Sequence, residues 1–430
     1  MKILICAEFF HPSVGGVQEV VKQIARRLAA NGHNITIATT KIPNRTSDDF
    51  EKIKIESFSI SGNLVNGISG EVDRYINFVK QGGFDVLFIY AAQQWTFDAL
   101  IDLFDEINAK KVFVPCGFAG LFDQNYTEYF IKMPSILNKF DSLIFHSKTY
   151  RDYVFAEEHS VKNLFFIPNG ADNAEFETPS KGFRESRNIS KDELLIMTNG
   201  SLNGAKGHLE VTQAFTLLDY HAPVTLILNG NKMSRHGRSI WSKFKPIDWL
   251  SLKQFSKSKI IFYLLRLRGR KNYFEMLNLL IREINSGKFG ENKKIFLTDL
   301  PRDQLISCYF ESNLFVFASN IEYSPLVLFE AAAAGLPFLS VAVGNVAEIV
   351  EWSGGGIICP SLTNSNGYTS VEINILAQQM ELLLNNKDEM YRLGQNGRTA
   401  WKEKFNWDYI SSEYEAIFLR LLNNATKQKI

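Results

Sequence analysis

At 430 residues the chain is too long for one hydrophobic core, so two domains are the default expectation. Hydrophobic residues at 45% and charged residues at 22% are ordinary globular proportions, and a net charge of +1 excludes a chain that is basic throughout. Four scattered cysteines (Cys6, Cys116, Cys308, Cys359) with no C-x-x-C pair argue against a disulfide framework or a zinc site, and no run of 18 apolar residues suits a membrane span.

In the first half, short apolar runs alternate with helical patterns, the signature of parallel sheets built from βαβ units. Strands are predicted at Ile3–Ala7, Asn34–Thr39, Val86–Tyr90, Lys111–Pro115, Ser142–Phe145 and Leu164–Ile167. The first run is too short for a signal peptide, so a reducing cytoplasm is the expected setting. A helix is predicted over Gln18–Asn31, with apolar residues at 20, 21, 24, 25 and 28 and Gly32 to close it. The preceding loop contains Gly15 and Gly16, where a backbone can come close to a ligand and a helix N-terminus favours phosphate. A purely conformational turn reads equally well, and the loop is not the G-x-G-x-x-G dinucleotide fingerprint.

A second series begins near residue 193, with strands predicted at Leu194–Thr198, Val224–Asn229, Lys294–Leu297, Leu314–Ser319, Pro337–Val341 and Gly356–Cys359. The chain therefore divides into two Rossmann-like halves joined near 170–190, where Asn169-Gly170, Pro179 and Gly182 supply turns. The loop Thr198–His208 is again glycine-rich, with Gly200, Ser201, Gly204, Lys206 and Gly207. A lysine at such a loop–helix junction can neutralise a diphosphate, or it can be a solvated loop residue. Between Lys232 and Lys271 stand 12 Lys or Arg and one acid, Asp248, interleaved with aromatic and aliphatic residues. That mixture suits an anionic membrane surface; a polyanionic acceptor and a plain solvated insertion are the other readings.

After the strand ending at Ser319 comes Glu322-Tyr323-Ser324-Pro325-Leu326-Val327-Leu328-Phe329-Glu330, then alanines, Gly335 and Pro337. Ser324 is a candidate N-cap, Pro325 suits the first helical position, and Gly335 a left-handed stop. Glu322 then lies outside the helix mouth and Glu330 about two turns inside. Free amides between them carry the positive end of the dipole. Carboxylates here would repel phosphate but accept from hydroxyls, so sugar and ribose hydroxyls are the expected partners. Of seven histidines, His11, His146 and His208 lie near loops that could line a cleft, and no hydrolytic triad or metal-ligand cluster is visible.

Together, Gly15-Gly16, Lys206-Gly207 and the E-x7-E pair Glu322/Glu330 resemble the retaining GT-B glycosyltransferases of family 4. The likeness extends to Asn31-Gly32-His33, to Pro168-Asn169-Gly170-Ala171-Asp172, to Gly344 with Glu348-Ile349, and to Phe405-Asn406-Trp407 with Tyr414. It implies an α/β fold of two Rossmann-like parallel-sheet domains facing across a cleft. The first spans 1–180, completed by a returning helix at 405–430; the second spans 185–404 and binds a nucleotide-diphosphate sugar. By resemblance Lys206 and Glu322 are the catalytic residues. The donor is held by Gly15, Gly16, Gly200, Ser201, Lys206, Glu322, Tyr323, Ser324, Pro325, Leu326, Val327 and Glu330. No metal or other cofactor is implied, because lysine and amides stabilise the leaving diphosphate. The implied acceptor is a cell-surface glycan or lipid-linked intermediate of bacterial polysaccharide synthesis, met on the cytoplasmic face of the inner membrane through 232–271; no nucleic-acid partner is expected. Two positions depart from the family pattern: Ser201 where many relatives carry arginine, and Cys116-Gly117 where many carry histidine-glycine. Those departures keep open the alternative of a non-catalytic donor-binding or scaffold subunit.

Overall fold

The computed structural model describes residues 1–231 and 273–427. The basic and aromatic segment 232–271, with its expected membrane contact, lies outside the described residues.

The first half contains β1 (Lys2–Cys6), β2 (Asn34–Thr40), β3 (Asp49–Phe50), β4 (Ile53–Phe58), β5 (Ile60–Asn63), β6 (Gly67–Gly70), β7 (Val86–Tyr90), β8 (Lys110–Val114), β9 (Ser142–Phe145) and β10 (Leu164–Phe166). Eight of them form one sheet in the order β10-β9-β8-β7-β1-β2-β4-β3, parallel except for the edge pair β3–β4. Strands such as β7 and β9 are buried along their whole length, because helices cover both faces of the sheet. β4 and the separate β5–β6 hairpin fall outside the predicted strands. Ile53-Lys54-Ile55-Glu56 alternates with only one face buried, whereas the other strands announce themselves as continuous apolar runs.

The second half supplies β11 (Leu194–Asn199), β12 (Val224–Asn229), β13 (Lys293–Thr298), β14 (Leu314–Phe317), β15 (Phe338–Val341) and β16 (Gly356–Cys359), all parallel in the order β13-β12-β11-β14-β15-β16. This is the 3-2-1-4-5-6 order of a doubly wound sheet. The main strands of the first sheet repeat it. Each sheet therefore has a switch point, between β1 and β7 in one and between β11 and β14 in the other. Ligands of open α/β sheets bind at the carboxyl ends of the strands beside such a point.

Contacts between loops at those strand ends show that the two carboxyl edges face each other. The Asn345 Nδ2 donates to the His146 carbonyl at 2.9 Å, and the Lys148 N–H donates to Glu348 at 2.8 Å. The chain crosses between the lobes twice. The Ala171 N–H donates to the Phe405 carbonyl at 2.9 Å, and the Trp401 Nε1 donates to the Ala171 carbonyl at 3.1 Å. The last helix, Trp407–Lys427, then packs on the first sheet, with the Tyr414 and Phe418 rings each 5.6 Å from Phe88. Asp172 secures the crossing by accepting from Gln23 at 2.9 Å and Arg27 at 3.0 Å on the Gly16–Ala30 helix.

Candidate active site

The glycine loop after β11 is pressed onto the end of β14. Gly207 adopts φ +74°, and a Cβ there would stand 2.2 Å from the Ala318 carbonyl oxygen, so only glycine permits the approach. The Asn320 N–H and the Ser319 Oγ both donate to the Ala205 carbonyl, at 2.7 and 3.1 Å. Lys206 is thereby carried to Glu322, with Nζ 2.5 Å from Oε1, and the Ser319 hydroxyl donates to the same oxygen at 2.8 Å. Gly200 leaves room for the lysine stem, since a Cβ there would lie 3.2 Å from the Lys206 Cβ and Cγ. The side chains are 25% and 12% exposed, so this pair is shielded enough to interact more strongly than a surface ion pair.

Beyond Glu322 the helix spans Leu326–Ala334, one residue later than the sequence suggests, with Pro325 at the cap position. Ser324 does not cap it; its Oγ instead accepts from the Asn345 Nδ2 at 3.3 Å, and the demand of the neighbouring loop wins. The amides of Leu326 and Val327 are left without intrahelical acceptors by helix geometry. Gly335 closes the helix at φ +70°, with its N–H on the Ala332 carbonyl and that of Leu336 on Ala331.

Glu330 is buried and held by Arg302, whose Nη2 lies 2.6 Å from its Oε1. The same guanidinium forks onto Glu175 at 3.0 and 2.5 Å. Burial works against the charge on Arg302, but Glu330 and Glu175 outweigh it and raise the guanidinium pKa. Burial and the Glu330 charge likewise push up the Tyr309 phenol, whose oxygen accepts from the Asn199 Nδ2 at 3.2 Å. Arg302 and Tyr309 were not singled out in the sequence. The one available signal was that Arg302 opens the helix directly after β13, at the carboxyl edge.

On the opposite edge, Gly15 and Gly16 follow β1 beside the switch point. Gly15 is extended, and Gly16 opens the helix with no chain atom within 4 Å of where its Cβ would be. Glu8, at the end of the same strand, is pushed up to about 7 by burial and by the charge of Asp98. Burial pushes Asp98 itself up to about 6, although the Leu64 N–H and the Tyr129 hydroxyl donate to it at 2.9 and 2.8 Å. Cys116, Gly117 and Phe118 have φ of +60°, +91° and +44°, and Ala91 and Gln93 are also left-handed. Such clustered strain is typical of functional edges.

The three histidines do not converge. His146 is buried with Nδ1 2.7 Å from the Ile167 carbonyl, which makes Nδ1 the donor and Nε2 the acceptor of the 2.6 Å bond from the Tyr90 hydroxyl. Burial lowers both His146 and His208 to about 4, so both are neutral. His11 is exposed, its ring 4.4 Å from Phe50. No group of three or more His, Cys, Asp or Glu among the described residues could hold a metal ion. No helix among them is long and apolar enough to cross a membrane. The structure thus brings Lys206 onto Glu322, four residues ahead of the Leu326–Ala334 helix. Gly200 and Ser201 lie on the Lys206 loop, Glu330 lies deeper on the same helix, and Gly15-Gly16 stands on the other edge.

Residues 250–400 match the family model for glycosyl transferases group 1. A 141-residue stretch is 27% identical to N-acetyl-alpha-D-glucosaminyl L-malate synthase of Bacillus anthracis, covering 33% of this chain and 34% of that relative. The match thus spans about a third of the relative's length. Solved structures match over nearly the full chain. Sucrose-phosphate synthase of Thermosynechococcus elongatus has a TM-score of 0.71 at 17% identity, covering 98% of this chain and 99% of its own. A glycosyltransferase from Rickettsia africae ESF-5 has 0.70 at 16% identity, with the same coverage. Anabaena HepE in complex with UDP and glucose has 0.65 at 15% identity, covering 97% and 98%. The similarity to the glycosyl transferases group 1 model is thus confined to residues 250–400, while the likeness of fold to GT-B glycosyltransferases runs from end to end of the chain.

Proposed function

We propose that this protein is a retaining glycosyltransferase that moves a sugar from a nucleotide-diphosphate donor to a hydroxyl acceptor. The observation that carries the reading is the Lys206–Glu322 pair four residues ahead of the Leu326–Ala334 helix, where an ammonium and a carboxylate meet beside a switch point. The ammonium and the helix amides suit a diphosphate, and the carboxylate suits the hydroxyls of the attached sugar. Binding of the diphosphate draws Lys206 away from Glu322 and frees that carboxylate for the sugar. Glu330, held in place by Arg302, accepts from the ribose. Gly16, with open space where a side chain would stand, lets the opposite backbone approach the phosphates.

In the transfer step the bond from the anomeric carbon to phosphate oxygen breaks, and a bond to the acceptor oxygen forms on the same face. The acceptor proton passes to the departing phosphate oxygen. Lys206 and the helix amides neutralise the charge that develops there, without a metal or other cofactor. The acceptor is proposed to be a cell-surface glycan or lipid-linked intermediate of bacterial polysaccharide synthesis, met at the cytoplasmic face of the inner membrane with residues 232–271 on the anionic surface. The test is release of nucleotide diphosphate from a panel of nucleotide sugars. Release that Lys206→Ala abolishes supports the reading. Tight nucleotide binding with no turnover on any donor would instead favour the scaffold alternative, to which Ser201 and Cys116 point.

A further inference from the structure

Tyr323 parts company with the loop that carries it. Glu322 turns to Lys206, but the Tyr323 side chain crosses to the opposite lobe. Its hydroxyl accepts from the His146 N–H at 3.1 Å and donates to the Asp152 carboxylate. The ring centroid lies 5.0 Å from Tyr150 and 5.6 Å from His146. A Cβ added at Gly117 would stand 3.2 Å from the same ring. Asp152 also accepts from the Gly117 N–H at 2.8 Å. One buried carboxylate therefore ties the residue beside Glu322 to the left-handed Cys116–Phe118 turn on the facing edge.

Burial pushes Asp152 up to about 6, and hydrogen bonds from Tyr323 and from the Gly117 and Tyr153 amides pull the other way. The titratable groups it acts on from the surrounding elements are Tyr90 on β7, Cys116, Tyr150 and Tyr323, all neutral when protonated. The adjacent Arg151 guanidinium is directed to the Tyr150 hydroxyl at 2.8 Å, and Glu322 acts on Tyr150 rather than on Asp152. Donated hydrogen bonds, not a counter-charge, hold the ionised form.

We propose that Tyr323 is a positioning residue: by engaging Asp152 it sets the distance between Glu322 on the donor side and the Cys116–Gly117 turn on the facing lobe. The inference rests on the transferase reading, because the distance matters only if donor and acceptor meet between those edges. Removing the phenol oxygen leaves the ring in place, frees the turn to drift, and strips one stabilising donor from Asp152. Its carboxyl then protonates at higher pH.

The test compares wild-type protein with Tyr323→Phe. Affinity for UDP, ADP or GDP, whichever binds, should stay within about twofold, while nucleotide release from the donor falls about tenfold or more, the scale on which small misplacements act. The acid limb of the pH–rate profile should move to higher pH, a change that simple loss of stability does not produce. A variant with unchanged turnover and an unmoved limb would overturn the proposal. Failure of the wild-type protein to turn over any donor defeats the transferase reading itself. In that event hydrogen exchange at Cys116–Phe118 still decides the positioning role. Faster exchange in Tyr323→Phe supports it, and unchanged exchange refutes it.

Discussion

The two edges that face each other are built on opposite principles. On the second sheet, every described residue with positive φ beyond β11 is a glycine, and the acids of the site are matched by cations, Glu322 by Lys206 and Glu330 by Arg302. On the first sheet, Ala91, Gln93, Cys116 and Phe118 hold left-handed conformations, and Glu8, Asp98 and Asp152 are carboxyls pushed upward by burial. One edge is relaxed and charge-balanced, which under the proposed reading suits a standing grip on an anionic donor. The other holds left-handed non-glycine residues and acids of raised pKa, and Tyr323 reaches across to it.

The comparison can be broken by removing the charge balance. Lys206→Ala should lower turnover about 10²–10³-fold, the loss typical of one fixed group facing developing charge. Circular dichroism should show the fold retained; unchanged turnover would deny the donor edge its role. Glu330→Ala should cost about 2 kcal/mol in urea denaturation, because it removes a charge-assisted bond from the buried end of Arg302 while the partly exposed guanidinium keeps Glu175. Glu330→Ala combined with Arg302→Ala should cost less than the two single losses summed, which a double-mutant cycle would read.

Glycine substitutions sharpen the contrast. Gly207→Ala should destabilise by about 2 kcal/mol or more, since it combines a left-handed conformation with a carbonyl in the way. Gly16→Ala, with open space around it, should leave the melting temperature unchanged yet weaken nucleotide binding by calorimetry. If both variants only destabilise, Gly16 serves the turn and not a ligand.

The last effect concerns Glu8. Its folded pKa of about 7 lies above that of an unfolded glutamate, so the native state binds the extra proton and stability falls as pH rises toward and through 7. Glu8→Gln should remove that loss, leaving the variant about 2 kcal/mol less sensitive to a change from pH 5 to 8. Identical pH dependence would remove Glu8 from the acidic edge.

Much of this arrangement was legible in the chain. Continuous apolar runs located the strands of both sheets, and Gly335 marked a helix end, because burial and left-handed caps leave local traces. Arg302 and Tyr309 were not legible, since they reach Glu330 only after 21 to 28 residues of intervening chain have folded into a strand and a helix. Tyr323 reads in sequence as a loop residue whose amide faces a ligand. Nothing local says that its ring will travel to Gly117 and Asp152 of the other lobe. β4 escaped because its period-two pattern is weak beside a hairpin of serines and glycines.

The paired passage at Ala171 and Phe405 has a mechanical consequence. Two adjoining segments linked by the Ala171–Phe405 hydrogen bond act as a strap hinge, which permits swinging about its own line but resists sliding and twisting. Cutting the chain before Trp407 would leave a single tether and bare the face of Phe88 that Tyr414 and Phe418 cover. Such a truncated protein should lose its alignment before it loses its fold.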